Sequence, residues 1–346
     1  MTRLLVLFGS GETTPAFVTL HRELFARHGE LTSASAVMLD TTYGFQTNAD
    51  ELTARLRGYF ADSAGVDVGE VRLRSSNAGP GAVATAVDTV STARWVFAGP
   101  GSPTYTARNW LATGMERAFT RVLEQGSLVF ASAAAMSLGS HVMPVYEIYR
   151  VGQDPHWQPG LDVIGAALGV KAAVVAHYDN TEGGTHDTRY CFAGADRFAT
   201  LEAQLPADTG VIGVDEHTAV VIDLDEESVA VHGRGATAAA GSSKSVAKSD
   251  AFGNVVFQVS NTVTKGEPKP AALNSLPPTS GAIFARFQAA LSGSTATSAP
   301  VDFHFFQTAA PVTPTPVKKT IRCQKGKTIK KVTAVAPKCP TGFKKI

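Results

Sequence analysis

Val129-Phe130-Ala131-Ser132-Ala133-Ala134-Ala135-Met136 is the stretch from which the fold is read. An apolar run, Leu128 to Phe130, stops at a serine set among small residues, and a helix-forming stretch follows. That pattern predicts a strand feeding a sharp turn into a helix, with the serine at the turn. The neighbours are small because side chains crowd so tight a bend. A hydroxyl held there stands beside a helix N-terminus, where backbone N–H groups and the positive dipole end meet developing negative charge.

Working outward, residues 3–225 alternate short apolar runs with longer amphipathic ones. Strands are expected at Leu4–Phe8, Ala36–Leu39, Val68–Leu73, Trp95–Ala98, Leu128–Ala131, Ala172–Val175, Gly210–Val214 and Ala219–Asp223. Helices are expected at Pro15–Arg27, Ala49–Ala61, Gly81–Val90, Thr104–Gln125 and Gly194–Gln204. Such alternation implies an α/β fold, a three-layer α/β/α sandwich around a mostly parallel, flavodoxin-like sheet. Ligands of such sheets bind at the carboxyl ends of the strands. Ser10, Gly99, Ser132 and His177 each follow a strand candidate, so they can share one edge.

An activated serine needs a base, an acid to orient the base, and donors for an oxyanion. His177 ends the strand-like run Lys171 to Ala176 in a polar loop, well placed to take a proton from Ser132. Glu147 is the sole acid in Pro144-Val145-Tyr146-Glu147-Ile148-Tyr149 and is the expected orienting carboxylate, with Asp179 as the alternative. His186 competes with His177 for the role of base. Glycines in Gly99-Pro100-Gly101-Ser102 allow close backbone approach to a reacting carbonyl. Pro100 has no N–H, so the donors expected there are Gly99, Gly101 or Ser102, joined by Ala133 after the nucleophile.

Bulk properties narrow the class. The chain has 346 residues, net charge +1 and enough apolar content for a sizeable core. The charge is uneven: residues 317–346 hold ten Lys and Arg and no acid, leaving 21 basic against 30 acidic residues elsewhere. An acidic body with a basic tail does not suggest nucleic-acid binding by the body. No apolar run reaches membrane-spanning length, and Arg3-Leu4-Leu5-Val6-Leu7-Phe8 is too short for a signal sequence. Cys191 stands alone in the body, which suits a reducing, cytoplasmic setting. Cys323 and Cys339 in the tail leave export as the alternative, since they can close a small loop.

The boundaries expected are a catalytic body at 1–262, a Pro/Ala-rich linker at 263–316 with a short helix at Ala282–Leu291, and a disordered or extended basic tail at 317–346. Thr237 to Ser249 reads as a loop, and Ala309 to Pro316 as an extended spacer. Gly9-Ser10-Gly11 is not a dinucleotide fingerprint, because Thr14 stands where the third glycine is needed.

The motifs Gly9–Glu12, Gly99–Ser102, Ser132 with Met136, and His177-Tyr178 together resemble the peptidase E and cyanophycinase family of serine peptidases, over about residues 3–235. The resemblance implies a class I glutamine-amidotransferase-like fold and a Ser132, Glu147, His177 triad with no cofactor and no metal. It also implies a small peptide substrate, of the aspartate-bearing kind, with Arg189 in Gly184-Thr185-His186-Asp187-Thr188-Arg189 binding an acidic group and His186 and Ser10 nearby. A homodimer is a further expectation. Gly213-Val214-Asp215-Glu216-His217-Thr218 resembles a closing motif of the same fold.

Phe130 and Ala134 stand where the family pattern has glycines around the serine. Two other readings therefore remain. In one, extra Cβ atoms spoil the turn and the body is a binding module. In the other, His177, Asp179, Glu182, His186 and Asp187 hold a metal ion for a metal-dependent hydrolase.

Overall fold

The computed structural model describes residues 2–206, 208–226 and 228–233, and beyond them the strands named below with residues 339, 340 and 343. The chain divides into two units, Met1–Thr308 and Ala309–Ile346. The first opens with strands β1 (Leu4–Phe8), β2 (Ala36–Leu39), β3 (Gly69–Val71), β4 (Trp95–Ala98) and β5 (Ser127–Ala131). Helices α1 (Val18–Ala26), α2 (Ala49–Gly58), α3 (Pro80–Thr92), α4 (Pro103–Thr113) and α5 (Met115–Val122) alternate with them. Then come α6 (Ala133–Ser137), β6 (His141–Val142), β7 (Gln158–Pro159), α7 (Val163–Leu168), β8 (Ala172–Val175), α8 (Ala195–Gln204), β9 (Gly210–Val214), β10 (Thr218–Asp223) and β11 (Ser228–Gly233).

The main sheet has the order β11-β10-β1-β5-β4-β2-β3. β5 lies between β1 and β4 and pairs in parallel with both, and β2 pairs in parallel with β4 and β3. Only β10 runs against the others, pairing antiparallel with β1 on one side and β11 on the other. Period-two alternation assigns the side chains to two faces. Leu5, Leu7, Val96, Leu128 and Phe130 pack with residues of α3, α4, α5 and α7. Leu4, Val6, Trp95, Phe97 and Val129 pack with Leu20, Leu24 and Phe25 of α1 and with Phe60. Every strand position of β1, β4 and β5 is buried, as a parallel sheet covered on both faces requires. The α/β class and mostly parallel sheet are thus those expected.

Local differences have physical causes. The single helix expected over Thr104–Gln125 is two, because Gly114 sits at φ 71° and ends α4. The expected helix Ala49–Ala61 stops at Gly58 and passes into a wider turn, Tyr59–Ala64, closed by Gly65 at φ 87°. β8 and β9 do not join the main sheet. They lie in a second one of order β14-β12-β13-β9-β8-β6-β7, with β12 (Lys244–Ser249), β13 (Val255–Val259) and β14 (Asp302–His304). The loop expected over Thr237–Ser249 therefore ends in a strand. The helix expected at Ala282–Leu291 and the spacer at Ala309–Pro316 lie outside the described residues.

In the second unit, the tail expected to be disordered or extended carries a three-stranded sheet, β16-β15-β17, from β15 (Lys319–Lys325), β16 (Thr328–Ala334) and β17 (Lys344–Lys345). The β-branched residues Thr320, Ile321, Thr328, Ile329, Val332 and Thr333 supply the strand preference that the lysines concealed. Cys339 is disulfide-bonded, whereas Cys191 is a buried free thiol pushed up to about 12 by burial. Among the described residues no helix is long and apolar enough to cross a membrane.

Candidate active site

Ser132 follows β5 directly and caps α6, at φ 50° and ψ −114°. A non-glycine residue at positive φ is uncommon and marks a position held by its surroundings. Here the backbone N–H of Ser132 donates to Phe8 O of neighbouring β1 (3.0 Å), and its carbonyl accepts from Met136 N–H (2.9 Å). Phe130 does not crowd the turn, because strand alternation sends its ring to the helical face. There it packs at 5.0 Å from Phe119 and 5.7 Å from Trp110. Ala134 is fully buried within α6. The turn forms with both residues in place.

Ser132 and His177 come together: Ser132 Oγ lies 3.0 Å from His177 Nε2. His177, just past β8, is itself at φ 49°. Its carbonyl accepts from Cys191 N–H (3.1 Å), and the next N–H, of Tyr178, donates to Val214 O (3.1 Å). Tyr190, Cys191 and Phe192 are all at positive φ, so a left-handed turn straps the His177 loop from outside. The Phe192 ring stands 6.1 Å from the imidazole and 5.2 Å from Tyr149.

The acid on His177 is not Glu147. His177 Nδ1 is 2.8 Å from Glu216 Oε1, and Asn180 Nδ2 donates to the same oxygen at 2.8 Å. The hydrogen bond from His177 holds the Glu216 carboxyl below its ordinary range, with Asn180 adding to it against burial. A carboxylate only accepts, so the Nδ1 proton is on the imidazole and Nε2 is left to accept from the serine hydroxyl. Glu147 instead accepts from Thr104 Oγ1 (3.0 Å), on the turn Glu147–Val151. Asp179, the alternative acid, accepts the backbone N–H of Glu216 (2.7 Å) and so holds the residue that contacts the histidine.

Glu216 sits in the tight turn between β9 and β10, and the Gly9-Ser10-Gly11 segment grips that turn. Ser10 Oγ accepts from His217 N–H (3.2 Å), so Ser10 acts on the turn rather than on a ligand. A Cβ on Gly9 would overlap the carbonyl of Asp215, and one on Gly11 would overlap the ring of His217. Gly11 is also at φ 71°. Gly11→Ala is therefore expected to cost about 1–3 kcal/mol of stability, from strain and overlap. Chemical denaturation would measure it, and a neutral substitution would contradict the packing described.

Of the oxyanion candidates, Ala133 is the first residue of α6, so its N–H has no partner within the helix. Gly101 is pressed onto β2's continuation: a Cβ there would overlap Thr42 O, while the next N–H, of Ser102, donates to Thr42 O (3.0 Å). Gly99 has ordinary room beside Phe97. Next to Gly101 opens a cavity of about 510 Å³, lined among others by Glu12, Tyr43, Arg55, Tyr59 and Tyr146. Burial pushes the Glu12 carboxyl up, opposed by a hydrogen bond from its own backbone N–H.

Arg189 and His186 are placed otherwise than expected. Arg189 is bidentate to Asp187 (2.9 and 2.7 Å), so its guanidinium is engaged two residues away and is not presented to a substrate carboxylate. The His186 ring stacks on Tyr149 at 5.9 Å, while Nε2 of His177 holds the contact to Ser132. The metal-site alternative also loses its geometry. Among the described residues no three His, Cys, Asp or Glu side chains converge as ligands, and Asp187 is taken by Arg189. Glu216 was the residue missed. Its signal was an acid two residues past the apolar run Gly210–Val214, at a strand end like Ser132 and His177.

No protein-family model matches the chain. No curated protein matches it either. The chain is similar to solved structures. One is a peptidase from an acI-B1 actinobacterium, with 24% identity, TM-score 0.47, and coverage of 64% of this chain and 83% of that one. Another is a putative peptidase E protein from Listeria monocytogenes EGD-e, with 14% identity, TM-score 0.44, and coverage of 67% and 99%.

Proposed function

We propose that the body is a serine-type peptidase whose nucleophile is Ser132, with His177 as base and Glu216 as the orienting acid. The observation that carries this reading is the continuous chain Ser132 Oγ, His177 Nε2, His177 Nδ1, Glu216 Oε1, at 3.0 and 2.8 Å, starting from a serine at positive φ. In the proposed step, Ser132 Oγ attacks the amide carbonyl as its proton passes to His177 Nε2. The imidazolium is stabilised by the ionised Glu216. The carbonyl oxygen becomes an oxyanion beside Ala133 N–H, with Gly101 N–H as second donor. Nε2 then returns the proton to the leaving amine. Water, deprotonated by the same nitrogen, releases the acid product and frees Ser132.

The cavity beside Gly101 is proposed to receive the substrate, a short peptide. Its buried acid and its Arg55 supply polar contacts rather than a purely apolar slot. The test is mass spectrometry after exposure to a fluorophosphonate. The wild type is expected to carry the adduct on Ser132, and Ser132→Ala to carry none. A folded wild type without adduct would overturn the reading in favour of a binding module.

A further inference from the structure

The cavity beside Gly101 holds an acid that the proposed reaction does not use. Glu12 lines it and is only 5% exposed. Its carboxyl takes a hydrogen bond from its own backbone N–H, and among the described residues no Lys, Arg or His side chain forms an ion pair with it. Burial without a counter-charge disfavours the ionised form. A cation beside this carboxyl would favour that form and gain a charge-assisted hydrogen bond. Tyr59 adds a second unmatched group in the same wall, since its buried hydroxyl has no hydrogen-bond partner among the described residues. Burial, and after it Glu12, push that hydroxyl up to about 12, so it stays a neutral phenol with lone pairs to offer. The other two tyrosines of the wall are committed. Tyr43 Oη lies 3.0 Å from Thr53 Oγ1, and Tyr146 Oη donates to Gly101 O at 3.3 Å. The walls come from the segments after β1, β2 and β4, the carboxyl edge of the sheet on which Ser132 also stands.

We propose that this cavity is a subsite for a cationic side chain, lysine or arginine, of a peptide substrate, with Glu12 as its charge partner and Tyr59 as a second acceptor. The assignment rests on the peptidase reading for its setting. Three tyrosine rings in one wall suit a cation as well. Arg55 is the competing anchor, because it lines the same cavity and could draw an acid instead. Burial decides between the two. Arg55 is exposed, so its charge is already hydrated, and an ion pair there is worth about fivefold in affinity at most. Glu12 is shielded from water, where a hydrogen bond to a charged group is worth about 10–100-fold.

The test is calorimetric titration of the full chain as Ser132→Ala, which lacks the proposed nucleophile, with short alanine peptides carrying Lys, norleucine or Glu at each position in turn. At one position Lys is expected to bind about 10–100-fold tighter than norleucine, and Glu more weakly than either. Glu12→Gln in the same background keeps a donor, as a protonated carboxyl would, but has no charge. There the lysine advantage is expected to fall to within about threefold. Tyr59→Phe is expected to reduce it and Arg55→Gln to keep it. Equal affinity for Lys and norleucine at every position would overturn the proposal, and that comparison alters no residue of the cavity. So would a lysine advantage that survives Glu12→Gln, which would make Glu12 a neutral donor. Glu bound more tightly than Lys would also overturn it and move the anchor to Arg55. The two readings fail separately. Fluorophosphonate labelling of Ser132 without a lysine preference would remove the subsite and leave the peptidase. A lysine preference in a chain whose Ser132 does not label would remove the peptidase and leave a cation-binding pocket.

Discussion

Glu216→Gln is expected to lower kcat on a peptide amide by about 10³–10⁴-fold, whereas Glu147→Gln leaves it within about twofold. The large effect follows from what the carboxylate does. Glu216 accepts from His177 Nδ1 at 2.8 Å, and this fixes the tautomer whose Nε2 lone pair faces Ser132. An amide at that position can donate to Nδ1, which selects the opposite tautomer and places a proton on Nε2, where the serine proton must go. It also removes the charge that stabilises the imidazolium during attack. Glu147 touches none of these atoms, since its hydrogen bond is to Thr104. Glu216→Asp, with the charge kept and the reach shortened, is expected to fall between the two. Steady-state kcat and the rate of fluorophosphonate labelling of Ser132 are the measurements. A crippled Glu147→Gln beside an active Glu216→Gln would reverse the assignment.

The contrast between these two acids shows what the sequence carried and what it did not. Ser132 and His177 were legible because each ends an apolar run, and a polar residue at a parallel strand's carboxyl end belongs to the ligand edge. Glu216 has the same signature, after β9. It was passed over because Glu147 lies nearer in sequence and stands alone among apolar neighbours. Sequence distance is a poor guide here: β9 and β10 are joined by a tight turn, and β10 pairs with β1. This brings a residue 39 positions beyond His177 to its ring. Phe130 and Ala134 illustrate the converse. Compared with glycine they looked obstructive, but the pleat directs one to the core and the helix buries the other. Arg189 looked available because the sequence does not decide between a substrate carboxylate and a pairing with Asp187 or Glu182. Only coordinates show the Nε and Nη2 edge of the guanidinium engaged by Asp187.

Stability is expected to fall as the pH drops from about 6.5 to about 4, through two histidines buried in neutral form. His21 is fully buried, with Nε2 near Glu12 O (2.8 Å) and its ring stacked on Phe8 and edge-on to Phe60. Its other nitrogen, Nδ1, has no hydrogen-bond partner among the described residues. Burial lowers His21 to about 4, and burial with the Arg94 and Arg27 charges lowers His28 to about 4. A depressed histidine pKa means that the unfolded chain binds more protons in this window. The stabilisation is complete above the unfolded value of about 6.5 and is lost as the pH falls toward the folded value. Each group can contribute up to about 3 kcal/mol, and His28, nearer the surface, less. Glu12 and Asp40, both pushed up by burial, act in the opposite direction and reduce the net loss.

A fall in Tm of about 10 °C between pH 7 and 4.5 is therefore expected for about 3 kcal/mol net in a body of this size. His21→Phe keeps the ring packing and cannot take a proton, so its Tm is expected to fall about half as far over the same range. A wild type whose Tm is level from pH 6.5 to 4.5 would contradict the burial argument. A His21→Phe variant as acid-sensitive as wild type would place the whole effect on His28, where Nε2 meets Ser127 Oγ at 2.9 Å. Ser127 Oγ also accepts from Leu4 N–H at 3.1 Å, so protonation there would loosen the start of the β1–β5 ladder next to which Ser132 is held.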